Sequence, residues 1–485
     1  MRRALMCLAV VAACGQDVPF VQPLLDTPPE GSDGFPFDGL DELRLSVARA
    51  GDEGALVERT MPFDQQVGLD QVPFGDNLVI HWSGRAVGVE LAYGRTCALD
   101  VPATGPVVAE PHLYVSRIVK WGVGASPFVP ERAGGFAYAL PDGSAVYVGG
   151  GNTLVERFDP LELGDFAALE TPLLDRLDPI YAAFPDGRLL ILGGTTEGNA
   201  VPTVELLAAS PEVPPNRQVE TADGPRLRAS AAEALVDGRV LVTGGETQVI
   251  NGGVFIKTGE AWLFGFADGN VLAAPRRLVV ALGVPRAHHS MTRLSNEVGA
   301  DLLIVGGRDN LGDPIAEAEL YRPLREAFEP LPDALLNIPR WSHAAVRLPG
   351  GFILIAGGLT TPIGGGDPIG VSELELYDPV QGRFNFAGVL PVGAGVTEMS
   401  VTPLPDGRVL FAGGRSTGGN PVDTALIARL DPINGQVDIS VTNAMDHPRA
   451  GHRAVSLCDG TLLVAGGAGP DSPSERYNPP SAGRR

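Results

Sequence analysis

Lysine is scarce in this chain, aromatic residues make up only 6%, and the 485 residues include just 7 histidines and 4 cysteines. Each shortage excludes something. A sugar site built on ring stacking needs aromatic side chains that are largely missing, which favours a protein partner over a carbohydrate. Beyond the N-terminus no apolar run approaches the roughly 20 residues of a membrane-spanning helix. No long amphipathic helical period is present either, so helical bundles and coiled coils are ruled out. Basic residues number 36 against 58 acidic, for a formal net charge of −22. Such a surface repels phosphate, which excludes nucleic acid and electrostatic docking to anionic lipid. Absent too are a nucleophile elbow, a His-Glu-x-x-His pair and a nicotinamide fingerprint, so no cofactor is implied. The run Gly364-Gly365-Gly366-Asp367 follows a strand but opens no helix, and so makes no phosphate cradle.

Glycine and proline are abundant instead, at 63 and 43 residues, together about 22% of the chain where roughly 12% is usual. Turns are therefore dense, and the β-prone runs between them predict an all-β protein. At the N-terminus, Met1-Arg2-Arg3, an apolar run Ala4 to Ala13 and then Cys14 make a secretory signal over 1–13. The stretch 14–39 carries Pro19, Pro23, Pro28, Pro29 and Pro36 and predicts a semi-extended tether. Strand-like runs at Leu43–Ala48, Asn77–Trp82, Val87–Ala92 and Cys97–Val101 predict a small β-sandwich-like domain over 40–110.

From about residue 125 onward the chain repeats itself with a period near 50 residues. An apolar strand ending in two glycines recurs at Gly149-Gly150, Gly193-Gly194, Gly244-Gly245, Gly306-Gly307, Gly357-Gly358, Gly413-Gly414 and Gly466-Gly467. The turn before it is usually Asp-Gly, at Asp142-Gly143, Asp186-Gly187, Asp237-Gly238, Asp406-Gly407 and Asp459-Gly460, which supplies the positive φ of a tight hairpin. A variable loop follows, then a third strand such as Glu319-Leu320-Tyr321-Arg322-Pro323 or Glu375-Leu376-Tyr377-Asp378-Pro379.

Hairpin, double glycine, loop and aromatic third strand together resemble the kelch repeat. The resemblance implies a seven-bladed kelch-type β-propeller over 111–485, each blade a four-stranded sheet. Its third copy diverges, with Trp262-Leu263-Phe264 in place of the Tyr-Asp-Pro pattern. The seventh copy ends with three strands, so 111–123, with its strand-like run Leu113–Trp121, is expected to close that blade as its outer strand. Val11-Ala12-Ala13-Cys14 resembles the lipobox of bacterial lipoproteins, with Val where Leu is commonest. That resemblance implies acylation of Cys14 and a lipid-anchored place in the bacterial cell envelope, the lipid being the only membrane contact. Galactose oxidase is similar in its kelch propeller, but its copper site needs a tyrosine cross-linked to a cysteine, a second tyrosine and two histidines, and no such constellation is assignable here.

Once Cys7 leaves with the signal and Cys14 takes lipid, Cys97 and Cys458 remain, either as a disulfide or as two free thiols. If 113–121 is the outer strand of blade seven, both arrive on one face. An Arg-x-x-His spacing opens three repeats, at Arg286 with His289, Arg340 with His343 and Arg449 with His452. One reading is a partial imidazole ring at the axis that binds metal or protonates substrate. The other is blade packing, with each arginine pairing to Glu319, Glu375 or Glu475. Repetition points first to packing. Loop carboxylates Asp309, Asp313 and Asp367 are candidate cation ligands without the spacing of a calcium loop. The loops after the double glycines, at 195–203, 246–259, 308–317, 359–371, 415–423 and 468–473, are gathered by propeller topology on one face, where recognition is expected. The functional expectation is a non-enzymatic, surface-anchored protein that binds a protein partner through these loops. Its competitor is a carbohydrate-active or carbohydrate-binding propeller with a site at the axis.

Overall fold

The computed structural model describes residues 20–479 apart from 22, 53, 64–72, 104–107, 124–131, 161–165, 170–173, 209–216, 221–223, 251–253, 268–271, 405, 432 and 469–472. The signal and Cys14 lie outside the described residues. Among those described, the regular secondary structure is all β-strand apart from one short 3-10 turn at Pro349–Gly351.

Seven four-stranded antiparallel sheets follow one another from residue 120 to 478. Their first strands are Phe136–Ala139, Ile180–Ala183, Ala231–Ala234, Ser290–Arg293, Ala344–Arg347, Ser400–Pro403 and Arg453–Ser456. The second strands are apolar on both faces because both are covered. In Leu302–Val305, Leu302 and Ile304 join a cluster with the preceding blade, while Leu303 and Val305 join one with the following blade. Alternation along a strand thus serves two neighbours at once, which is why these strands read as continuous hydrophobic runs. Seven such clusters span the seven blade boundaries, the last joining Val455, Leu457 and Leu463 to Tyr147 and Phe158. The sheets therefore form a closed ring, a β-propeller.

The double glycines stitch the ring. Gly194, Gly245, Gly307, Gly358, Gly414 and Gly467 donate their N–H to the carbonyls of Leu227, Arg286, Arg340, Val396, Arg449 and Arg132, each in the next blade, at 2.8–2.9 Å. At Gly306 φ is 64°, and a Cβ would lie 2.6 Å from the Arg340 carbonyl oxygen, so any side chain would push the blades apart. The Asp-Gly turns work differently from the hairpin expected. Only the glycine has positive φ, and the aspartate accepts the N–H two residues on, as Asp142 does from Ser144 at 3.0 Å and Asp406 from Arg408 at 3.1 Å. The turn is a type I turn closed by a left-handed glycine, with the carboxylate as its cap.

Three sequence expectations need correction. The strand paired with Glu475–Asn478 is Lys120–Val123, whereas His112–Arg117 belongs to the N-terminal sheet. Continuous β-branched content across 113–121 hid a turn at Ile118-Val119, where Val119 has φ 55°. Residues 20–39 are not a free tether: Phe20–Val21 pairs with Val108–Ala109, and Leu24–Asp26 pairs with His112–Tyr114. Proline count outweighed Val21, Leu25 and Phe37 in that reading, yet those side chains pack in the N-terminal core. Nor are there two facing full sheets. One seven-stranded sheet, built on Glu42–Arg49 and the long strand Gly75–Ala86, is covered by the two-stranded pair and by aromatic residues around Phe37.

The N-terminal unit docks where the ring closes. A disulfide joins Cys97 to Cys458 with Cα atoms 5.0 Å apart. Asn478 Nδ2 donates to the Tyr93 and Ser116 carbonyls at 2.7 and 3.0 Å, and the Arg476 guanidinium lies 3.8 Å from the Tyr114 ring centre. All these contacts lie on the side of the propeller that carries the Asp-Gly turns.

Candidate functional site at the mouth of the propeller axis

The Arg-x-x-His histidines are packing residues in this structure. His289 Nε2 lies 3.0 Å from Thr243 Oγ1, His343 Nε2 2.7 Å from Ser290 Oγ, and His452 Nε2 3.0 Å from Ser400 Oγ, each partner being in the preceding blade. Burial, followed by the neighbouring arginine, pushes His343 and His452 down to about 3 and His289 well below the ordinary imidazole value. Neutral rings hydrogen-bonded across blade boundaries do not make an axial metal site. No group of three or more His, Cys, Asp or Glu able to hold a metal occurs among the described residues.

The arginines are equally structural. Arg176, Arg286 and Arg340 lie 2.7–2.8 Å from Glu205, Glu319 and Glu375, and Arg132 pairs with Glu156 and Arg449 with Glu475, all buried. Glu205, Glu319, Glu375 and Glu475 also cap the chain entering their blades, as Glu375 does for the N–H groups of Asn337 and Ile338 at 2.7 and 3.1 Å. Blades three and six lack the pair and carry apolar residues at the same positions, Leu227 with Trp262 and Val396 with Leu426.

Between arginine and histidine stands a position that sequence reading passed over. Gly134, Asp178, Ala229, His288, Ser342, Glu398 and Gly451 all have positive φ, from 50° to 75°. Their backbones link around the axis: Gly134 N–H donates to Gly451, Gly451 to Glu398, Ser342 to His288 and His288 to Ala229, each at 2.9 Å. This is one left-handed residue per blade at the entry to its innermost strand, on the side opposite the N-terminal unit. Left-handed backbone at non-glycine residues is uncommon and costs about 1–2 kcal/mol each. The repeat had a signal for it, since six of these residues stand at one fixed distance before their double glycine, with blade four the exception.

The side chains at this mouth are unequal. Blades seven and one contribute Ala133, Gly134, Ala450 and Gly451, and leave it open. Blades two, three, four and six contribute charged or titratable groups, and blade five a hydroxyl. Asp178, Ser342 and Glu398 are exposed and His288 is half-buried. Arg415 Nε meets Glu398 at 3.0 Å, while Arg228 and Lys257 meet Glu246 at 2.7 and 3.2 Å. Arg308 has no carboxylate partner among the described residues, and its Nε is buried without a hydrogen-bond partner. Its backbone pairs with Ala287 in both directions, which sets it beside His288, and its guanidinium lies 5.6 Å from the Trp341 ring centre. Burial and then Arg308 hold His288 below its ordinary value.

The loops after the double glycines surround this mouth. Thr195–Thr196 pairs with Asn199–Ala200, and blade three sends up a hairpin of Glu246–Ile250 and Val254–Lys257. Gln248 holds Ala200 N–H at 2.9 Å, and Asn310 holds Lys257 N–H at 2.7 Å, so the loops of blades two, three and four are braced together. Of the predicted cation ligands, Asp309 caps its own turn through the N–H groups of Leu311 and Asp313, and Asp313 and Asp367 are exposed on the loops of different blades. The three do not converge.

No family model matches the chain. It is similar to tRNA wybutosine-synthesizing protein 4 of Saccharomyces cerevisiae, 26% identical over 201 residues, 40% of this chain and 27% of that protein. It is also similar to beta-scruin of Limulus polyphemus, 32% identical over 99 residues, 20% of this chain and 10% of that protein. The chain thus spans about a quarter or less of the relatives' lengths. Among solved structures, that of YjhT aligns with a TM-score of 0.49 and 14% identity, over 66% of this chain and 99% of that one.

Proposed function

We propose that the chain is a kelch-like binding protein, held at the bacterial cell envelope by acylation of Cys14, that presents the loops around the axis mouth to a protein partner. One observation carries the reading. On those loops Leu177, Val249, Val254, Ile256 and Leu311 expose 62%, 54%, 51%, 43% and 85% of their surface. The loops bearing them are braced side by side, on the face that the N-terminal unit leaves free. Clustered exposed aliphatics with a polar rim mark a protein-binding surface rather than a sugar-stacking one. On the turn side, exposed aliphatics such as Leu324, Val380 and Ile433 stand one to a turn. No catalytic role is assigned to any residue. The mixed ring of Asp178, His288, Ser342 and Glu398 supports the carbohydrate alternative, since such groups also hydrogen-bond sugar hydroxyls.

The test uses the intact chain and an Ile256→Glu, Leu311→Glu variant as baits for envelope extract. Capture abolished by protease, unaffected by glycan digestion and lost with the variant supports the proposal. Capture abolished by glycan digestion overturns it in favour of the carbohydrate alternative.

A further inference from the structure

We infer that Arg308 anchors a carboxylate side chain of the protein partner at the axis mouth, an inference that rests on the loop-face reading above. The repeat does not explain this arginine. At the position following the second glycine the other blades carry Gly151, Thr195, Glu246, Leu359, Arg415 and Ala468, so the fold accepts almost anything there. Nor does a carboxylate pair with it among the described residues, whereas Arg228 has Glu246 and Arg415 has Glu398. A guanidinium with a buried, unpartnered Nε is short of an acceptor, and the acceptor its planar fork fits is a carboxylate, held by two parallel hydrogen bonds. The Trp341 ring centre lies 5.6 Å from the guanidinium, exposed Ser342 follows that ring in the chain, and the charge of Arg308 acts on the His288 imidazole.

The carboxylate comes from an Asp or Glu side chain of a peptide segment, because what surrounds it is aliphatic. Val254, Ile256 and Leu311 would cover the flanking apolar residues of such a segment. Of the cations around this mouth, Arg228 and Lys257 pair with Glu246 and Arg415 with Glu398, whereas Arg308 has no carboxylate partner among the described residues. An acidic segment thus finds at Arg308 a cation that no described carboxylate has already paired.

The test measures fluorescence polarisation of synthetic octapeptide pools with aliphatic flanks and Glu, Gln or Lys fixed at the centre, titrated with the intact chain. Glu-centred peptides should bind at least about tenfold tighter than Gln-centred ones, about 1.4 kcal/mol. Arg308→Gln should abolish that preference, and Arg308→Lys, which keeps charge but loses the fork, should restore part of it. Melting temperature should change little, since among the described residues the guanidinium has no hydrogen-bond partner and only its contact with the Trp341 ring is lost. If Glu and Gln pools bind equally and Ile256→Glu weakens both, the carboxylate inference falls and the loop-face reading stands. If no pool binds but a uronate oligosaccharide does, both fall together.

Discussion

Lowering the pH from 7 to 5 should destabilise this propeller through histidines that stay neutral when folded, and His452 gives the cleanest measure. It is fully buried, packed against Arg449 and Arg453, and hydrogen-bonded to Ser400. Its folded value is about 3, against about 6.5 in the unfolded chain. Between those values the unfolded state binds a proton that the native state refuses, so stability is intact above about pH 6.5 and is lost as pH falls. Each pH unit costs about 1.4 kcal/mol, hence about 2 kcal/mol at pH 5. The repeat supplies the control: Met399 occupies the same position in blade six, so His452→Met keeps the packing and removes the titration. The variant loses one hydrogen bond, about 1 kcal/mol at pH 7. Denaturant unfolding curves taken from pH 7 to 5 should therefore show the variant less stable at neutral pH and more stable at pH 5, the two lines crossing between about pH 5 and 6. Carboxylate contributions cancel in the difference. Parallel lines, or His452 ring resonances titrating near their ordinary value in the native protein, would refute the reasoning.

Other expectations follow from the same geometry. Arg340→Leu leaves Glu375 buried without its cation and should cost about 3–5 kcal/mol by chemical unfolding, while the same change at exposed Arg383 should cost under about 1. The Cys97–Cys458 bridge spans 361 residues, so Cys97→Ser should lower stability by about 2–5 kcal/mol, read as a fall in the denaturation midpoint; free alkylation of both thiols in the unreduced native protein would show that the bridge does not form. Ala229, left-handed at φ 54° with no functional group, should tolerate Ala229→Gly with a gain of about 0.5–1 kcal/mol, seen as a higher melting temperature.

The propeller was legible because its determinants are local and repeated. Double glycines, Asp-Gly turns and apolar second strands recur at fixed offsets, and each does one job: interblade contact, a capped turn, and burial on both faces. Where determinants act across distance, reading the sequence went astray. Nothing near residue 118 announces that one apolar stretch serves two sheets, since the break is a single left-handed valine. The leading segment was read from its prolines, although its worth to the fold lies in Val21 and Phe37 meeting Leu45 and Trp82 from far along the chain. The mouth shows the same limit. His289, His343 and His452 drew notice as a repeated chemical type, yet repetition is the mark of packing. The residues that differ from blade to blade at one repeated position, Asp178, His288, Ser342 and Glu398, are the ones that the topology gathers.

The placement of the N-terminal unit bears on how a lipid anchor at Cys14 would orient the molecule. The first described strand, Phe20–Val21, lies six residues beyond that cysteine, and six extended residues reach at most about 20 Å. With an acyl chain on Cys14, as proposed, the spacer would be short and the N-terminal unit would itself lie close to the lipid. That unit is fixed to the turn side of blade seven by the disulfide, by Asn478 and by the stacking of Arg476 on Tyr114. The loop face is on the other side of the ring. Orientation would thus come from a rigid, covalently fastened unit rather than from a flexible tether, and the axis mouth would face away from the membrane, toward whatever partner the aliphatic loops and Arg308 receive.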